Sequence, residues 1–235
     1  KNIIIEKMKL SNLKMLVIGD IIIDHYQFGE VSKISPEAPT PIINLKSSEY
    51  KPGGASNLAI NLASIGASVT LIGVVNSKKH IGLINKHLAN KKINLKIIID
   101  SKYTTPFKTR FIANGYQLLR LDEEEVLTNK KFSYNRKIIN YANKWINQNK
   151  DNNTSAAVLF SDYQKGSLID PKKIIEKCKE KKIITFLDSK SKDLNRYKGV
   201  EIFKPNNHEF NSLFNNSNQT DASKFKYLQS KFKFK

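Results

Sequence analysis

The chain has 235 residues, 40% of them hydrophobic, which is enough to bury one sizeable core in a single domain of above-average size. Its lone Cys178 excludes an internal disulfide framework, and no apolar run approaches the ~18 residues of a membrane span or forms the h-region of a signal peptide, so a cytoplasmic protein with no membrane partner is expected. The formal charge of +19 is spread through lysines scattered among Asn and Ile, with only Arg110, Arg120, Arg136 and Arg196 as arginines, so a solvated lysine surface rather than a nucleic-acid partner is expected.

Residue 1 is lysine, and both ends of the chain read as cut, as in a fragment or a partial reading frame. The first periodic segment, MLVIGD (Met15 to Asp20), is a short apolar run ending in a polar residue, the pattern of a buried parallel strand. Asp24 to Leu45 breaks the rhythm with aromatics, a glycine turn and three prolines. KPGGASNLAINLASIGASV (Lys51 to Val69) follows, with Gly53 and Gly54 at the mouth of a helix expected from Gly54 to Ile65. The glycines serve either a tight turn or close approach of the backbone to a ligand, with the helix N–H groups and positive dipole end aimed at it and Asn57 one turn in.

SVTLIGVV is the next strand, His80 to Asn90 the next helix. Ile93 to Asp122 then alternates like antiparallel strands, with ANGY as a hairpin turn. Together with Asp24 to Leu45 it is expected to form a small separate β-layer, a lid over a site; an edge extension of the main sheet is the alternative. Helices from Phe132 to Asn147, Pro171 to Lys181 and Asn206 to Phe214 alternate with the strands AAVLFSDY, IITFLDSK and VEIFKPN. The polar stretch Asn147 to Asn153 reads as a surface loop, and KYLQSKFKFK as an amphipathic helix approaching another strand. This alternation points to βαβ units and a doubly wound, mainly parallel α/β sheet. In such a sheet ligands bind beyond the carboxyl ends of the strands, where this chain places Gly19 and Asp20, Ser161 to Tyr163, Asp188 and Lys190, then Asn206 and Glu209.

The segments VIGDIIIDHYQFG, SKISPEAPTPII, KPGGASNLAINLASIGA, QLLRLDEEE, LFSDYQKG, FLDSKSKDLNRYKG and KPNNHEF together resemble the ribokinase-like (PfkB) carbohydrate kinases, and more narrowly their heptose-7-phosphate kinase branch. The likeness runs in order from about Leu16 to Phe214. It implies a single, incomplete ribokinase-like domain over residues 1–235 with a lid from segments 24–45 and 93–122 that also supplies a homodimer interface. It implies transfer of the ATP γ-phosphoryl group to the anomeric hydroxyl of D-glycero-β-D-manno-heptose 7-phosphate. Asp24 would hold a sugar hydroxyl, and Gly53, Gly54 and Asn57 would line the sugar pocket. Lys108, Arg110 and Arg120 are candidates for the sugar phosphate, with solvated lid charge the plain alternative. Asn206 and Glu209 match an N-x-x-E motif that serves Mg²⁺ through its waters, and Asp162, Asp188 and Lys190 would line the phosphate-transfer region.

The family's D-T-x-G-A-G-D signature, which carries the general-base Asp and the anion hole, is absent and would lie beyond Lys235. The chain alone is therefore expected to be inactive. Close relatives commonly have Arg where this chain has His25 and Pro where it has Ser189. A kinase for another sugar, or a non-catalytic sugar-binding or dimerising fragment, stays open beside the heptose kinase. His80 and His87 share a helix without a carboxylate neighbour and do not read as a metal site; Cys178 reads as a core filler.

Overall fold

The computed structural model describes residues 12–89, 91, 93–125, 133–149, 155–214 and 220–234. The expected Asn147–Asn153 loop lies largely outside them, as do the expected helix ends Asn90 and Phe132. Six strands make the main sheet: β1 (Lys14–Gly19), β4 (Ser68–Val75), β5 (Ile93–Ile99), β8 (Ala156–Asp162), β9 (Ile184–Ser189) and β10 (Ile202–Phe203). They lie in the order β10-β9-β8-β1-β4-β5, and every pairing is parallel. The strands are apolar runs because both faces are covered: Leu16, Val17 and Ile18 of β1 are fully buried.

One face is covered by α1 (Gly54–Ser64) and α2 (Lys78–Leu88), whose Ala55, Ala59, Ile84 and Leu88 are buried in two adjoining clusters. The other is covered by α3 (Asn135–Gln148), α4 (Lys172–Glu180) and α6 (Asp221–Phe232), with α5 (Asn207–Ser212) alongside. Cys178 of α4 is fully buried, and burial pushes its thiol up to about 12, so it packs and does not react. After α6 the chain shows no strand through residue 234; Phe234 instead packs on Phe203 at 5.1 Å.

A four-stranded sheet stands apart, in the order β3-β2-β6-β7, from β2 (Ile21–Ile34), β3 (Pro41–Gly53), β6 (Phe107–Ala113) and β7 (Tyr116–Glu123). The β6/β7 hairpin turns at Asn114 and Gly115, both at positive φ (52° and 84°), as an Asn-Gly turn requires. Two antiparallel hairpins are joined by a parallel β2/β6 pair.

The structure corrects two boundaries. Ile93–Ile99 belongs to the parallel sheet, reached through α2 as its crossover helix, so the second segment of the small sheet begins at Phe107. Its alternating burial arises because β5 is an edge strand, a pattern that mimics an antiparallel strand. Lys51 to Gly53 is also not a loop: β3 continues through it, paired with Asp24, Ile23 and Ile22.

The chain moves from β1 outward through β4 and β5, then returns to β8 on the other side of β1, so the order reverses between β1 and β8. There Gly19 is pressed against the next strand, and a Cβ on it would strike the Ser161 carbonyl. Gly19→Ala is expected to lose about 3 kcal/mol of stability by forcing β1 and β8 apart, measured by urea denaturation.

Candidate active site

Asp20 follows β1 at this reversal and is completely buried. Its carboxylate accepts three backbone N–H groups from the turn after β8: Tyr163 (2.8 Å) and Lys165 (3.0 Å) on Oδ2, and Ser167 (2.8 Å) on Oδ1. Its carbonyl accepts the Ala55 N–H at the start of α1, 2.9 Å away. Burial raises its pKa to about 6, and the charge of Asp162 adds to the rise against the three N–H bonds.

Asp162 ends β8 and is 2% exposed. It accepts the Tyr197 hydroxyl (2.7 Å) and the Ser189 hydroxyl (3.2 Å) on Oδ2, and the Gln164 N–H (2.8 Å) on Oδ1. Ser189 also accepts the Ser191 N–H, so the residue that departs from the family pattern is part of this buried network. Asp162 thus bears on the site through the turns it fixes.

At the end of β3, Gly53 and Gly54 admit what larger residues would block. A Cβ on Gly53 would collide with the Asp24 carboxylate, and Gly54 sits at φ +56° against the Asp20 carbonyl. Asp24 is the cross-strand partner of Lys51 and is held by Arg110, with Nη1 2.6 Å from Oδ1. Asp24 and Asn57 line one cleft of about 380 Å³ together with Tyr26, Lys51, Ile60, His87 and Lys91. The Tyr26 ring lies between Lys51 and Arg110, 5.1 Å and 5.2 Å from its centroid. His25, on the alternate face of β2, stacks on Tyr50 at 4.2 Å and bonds Ser48.

Two other small-sheet cations are engaged with carboxylates. Lys108 contacts Asp122 (2.8 Å) and Glu124 (3.6 Å), and Arg120 contacts Asp122 (2.8 Å). Glu124 in turn meets Lys165 at 2.6 Å, which ties the small sheet to the turn held by Asp20.

At the far strand ends, Lys190 lies 4.5 Å from the centre of the Tyr163 ring. Asn206 and Glu209 form a reciprocal cap on α5: Oδ1 of Asn206 accepts the Glu209 N–H (2.8 Å) and Oε2 of Glu209 accepts the Asn206 N–H (2.9 Å). Burial raises the pKa of Asp188; Lys204 and Lys190 oppose the rise and Glu209 adds to it. No group of three His, Cys, Asp or Glu side chains suited to a metal gathers among the described residues. Mg²⁺ bound with nucleotide phosphates needs only one or two carboxylates and keeps its waters, so the Asp188 and Glu209 pair, with one Glu209 oxygen outside the cap, fits it.

Of the expected sugar-site residues, Asp24 and Asn57 line one cleft, with Arg110 bound to Asp24 and Gly53 against its carboxylate behind the lining, while Asp188, Lys190, Asn206 and Glu209 lie at another edge. Sequence reading missed Tyr26, Lys51, His87 and Lys91 as lining residues. The first two follow from Asp24 once β2 and β3 are placed in register; the last two come from the end of α2 and carry no local signal.

A model described as pfkB family carbohydrate kinase matches residues 12–235. The bifunctional protein HldE of Coxiella burnetii is 35% identical over 225 residues, covering 94% of this chain and 45% of its own length. HldE of a Marinomonas species is 34% identical over 230 residues, with coverages of 97% and 47%. The chain therefore spans about half the length of the curated relatives it matches. The fold is similar to that of the tetrameric inhibited form of Escherichia coli phosphofructokinase-2 (TM-score 0.68, 17% identity, 94% of this chain and 71% of that one). It is also similar to a carbohydrate kinase from Agrobacterium tumefaciens (TM-score 0.61, 15% identity, 85% and 62%).

Because folding raises the pKa of Asp20, the native chain keeps a proton that the unfolded chain has released between pH 3.8 and about 6. The stability this contributes is complete below pH 3.8 and is lost as pH rises through about 6. Asp20→Asn is expected to cost about 2–3 kcal/mol at pH 5, since an amide nitrogen would face a backbone N–H, and to flatten that part of the pH profile. Urea denaturation from pH 4 to 7 measures both.

Proposed function

The chain belongs to the pfkB family of carbohydrate kinases, and from that premise we propose that it serves the phosphorylation of D-glycero-β-D-manno-heptose 7-phosphate by ATP at the anomeric hydroxyl, giving the 1,7-bisphosphate. The observation that carries this reading is the cleft in which Asp24 and Asn57 meet beside the bare backbone of Gly53 and Gly54, next to the reversal in strand order. The heptose follows from the resemblance of SKISPEAPTP, QLLRLD and SDYQKG to that branch, and from the HldE relatives.

In this reading Asp24, oriented by Arg110, accepts a sugar hydroxyl, and Asn57 both donates to and accepts from a neighbouring one. The backbone of Gly53 and Gly54 lets the acceptor carbon approach the start of α1, which carries no side-chain cap and whose positive dipole end favours negative charge. Phosphoryl transfer depends on positioning and on stabilising charge over the transferred oxygens. Asp188 and Glu209 would hold, through water, the Mg²⁺ that accompanies ATP, which would offset part of that negative charge. The turn after β8, fixed by Asp20 and Asp162, sets the distance between the two edges. The general base is not assigned among these 235 residues, which contain no D-T-x-G-A-G-D stretch. The reaction would sit in the cytoplasm, as a step toward ADP-heptose for the lipopolysaccharide core.

Phosphofructokinase-2 of E. coli, solved in complex with fructose-6-phosphate, supports a second reading, a different phosphorylated sugar. We also propose that the small sheet covers the cleft and pairs with a second copy, since Leu119 and Leu121 project on one face of β7 and are 58% and 50% exposed. Sedimentation is expected to show a dimer that Leu119→Glu with Leu121→Glu dissociates; an unchanged mass rejects the interface.

Calorimetric titration of the 235-residue chain with heptose 7-phosphate is expected to show binding that Asp24→Asn weakens by about tenfold or more. With ATP and Mg²⁺ present, this chain alone is expected not to turn over. Turnover would place the base among these residues, and preference for fructose 6-phosphate over heptose 7-phosphate would reject the substrate.

A further inference from the structure

We infer that the phosphate already carried by the acceptor sugar is taken by Lys51, His87 and Lys91 at the outer end of the cleft, and that this cluster selects a phosphorylated sugar. The inference rests on the sugar-kinase reading above but not on which sugar it is.

Three other basic side chains of the small sheet are the candidates that the sequence offers, yet each is already neutralised. Arg110 is bound to Asp24, Lys108 to Asp122 and Glu124, and Arg120 to Asp122. A phosphate arriving there would have to displace a carboxylate from a half-buried pair, exchanging one anion for another with little gain. The cleft cations differ. Lys91 has no carboxylate partner among the described residues. The one carboxylate paired with Lys51 among the described residues is Glu49, at 3.3 Å with both side chains more than a third exposed, a contact water largely screens, and the ammonium also lies over the Tyr26 ring. His87 donates from Nε2 to the Tyr50 carbonyl (2.8 Å), which anchors its ring at the wall of the cleft.

Their position along the cleft suits the task. The acceptor hydroxyl belongs at Gly53 and Gly54, where backbone and helix start converge. Lys51 lies two residues back along β3, about 7 Å away at strand rise, and Ile60 lies six residues into α1, about 9 Å along its axis. His87 and Lys91, from the end of α2, close the cleft at that level. The two ends of an extended sugar phosphate would then meet opposite requirements: an uncharged hydroxyl at the glycines and a dianion at the cations. Asn57, one turn into α1, lies between them, and Asp24, the cross-strand partner of Lys51, turns its carboxylate toward Gly53.

The test compares Lys51→Met with Lys91→Met, singly and together, against Lys108→Met with Arg120→Met. Each is titrated with heptose 7-phosphate, fructose 6-phosphate and the two phosphate-free sugars. Circular dichroism of these surface variants checks that they fold. The Lys51/Lys91 double change is expected to weaken the preferred phosphorylated sugar by about tenfold or more, leaving its phosphate-free counterpart within twofold. The Lys108/Arg120 change is expected to do much less. If the double change leaves phosphorylated-sugar affinity within twofold, or lowers both forms equally, the assignment is overturned while the kinase reading stands. A wild type that binds phosphorylated and phosphate-free sugars alike overturns it too. Lysine-dependent preference for fructose 6-phosphate would instead reject the heptose and support the subsite.

Discussion

A carboxylate buried without cations must be satisfied by the backbone, and Asp20 is the place where this chain meets that demand. Three N–H groups of the turn after β8 converge on it, while its own carbonyl receives the first free N–H of α1. Two loops from opposite halves of the sheet and one helix start are therefore fixed by a single residue. The turns beyond the paired ends of β1 and β8 are thereby held together where the strand order reverses. Asp162 repeats the device one strand over, drawing in Tyr197 and Ser189.

Much of this was legible in the residues. The apolar runs of β1, β4 and β8 are nearly continuous because helices cover both faces, as a parallel sheet requires. The Asn-Gly turn announced the β6/β7 hairpin through its chemistry alone. Ile93–Ile99 misled because alternation measures how many faces are covered, not the direction of the neighbour. Lys51 to Gly53 misled because proline and paired glycines suggest a loop, whereas here they finish an edge strand that must let Asp24 in.

Charge was the least legible property. A count of lysines gives the net excess but not which are neutralised, since that depends on contacts such as Lys165 with Glu124 between distant segments. The pairing leaves Arg110 as a support for Asp24 rather than a free anion ligand. It also leaves uncommitted cations at the end of α2, which no motif marks. In a strongly basic chain, function is better sought where compensation fails than where cations are dense.

The small sheet is stitched from two hairpins by the parallel pairing of β2 with β6, and all of β3, α1, β4, α2 and β5 lies between those strands. Each hairpin is a local pairing, whereas the seam joins segments separated by all of that chain, so it cannot close until β6 has been synthesised. During synthesis the first hairpin must wait with one edge of β2 open, a template for any stray strand. Closure of that seam therefore follows the two hairpins that it joins, and the small sheet is complete only once β6 has met β2.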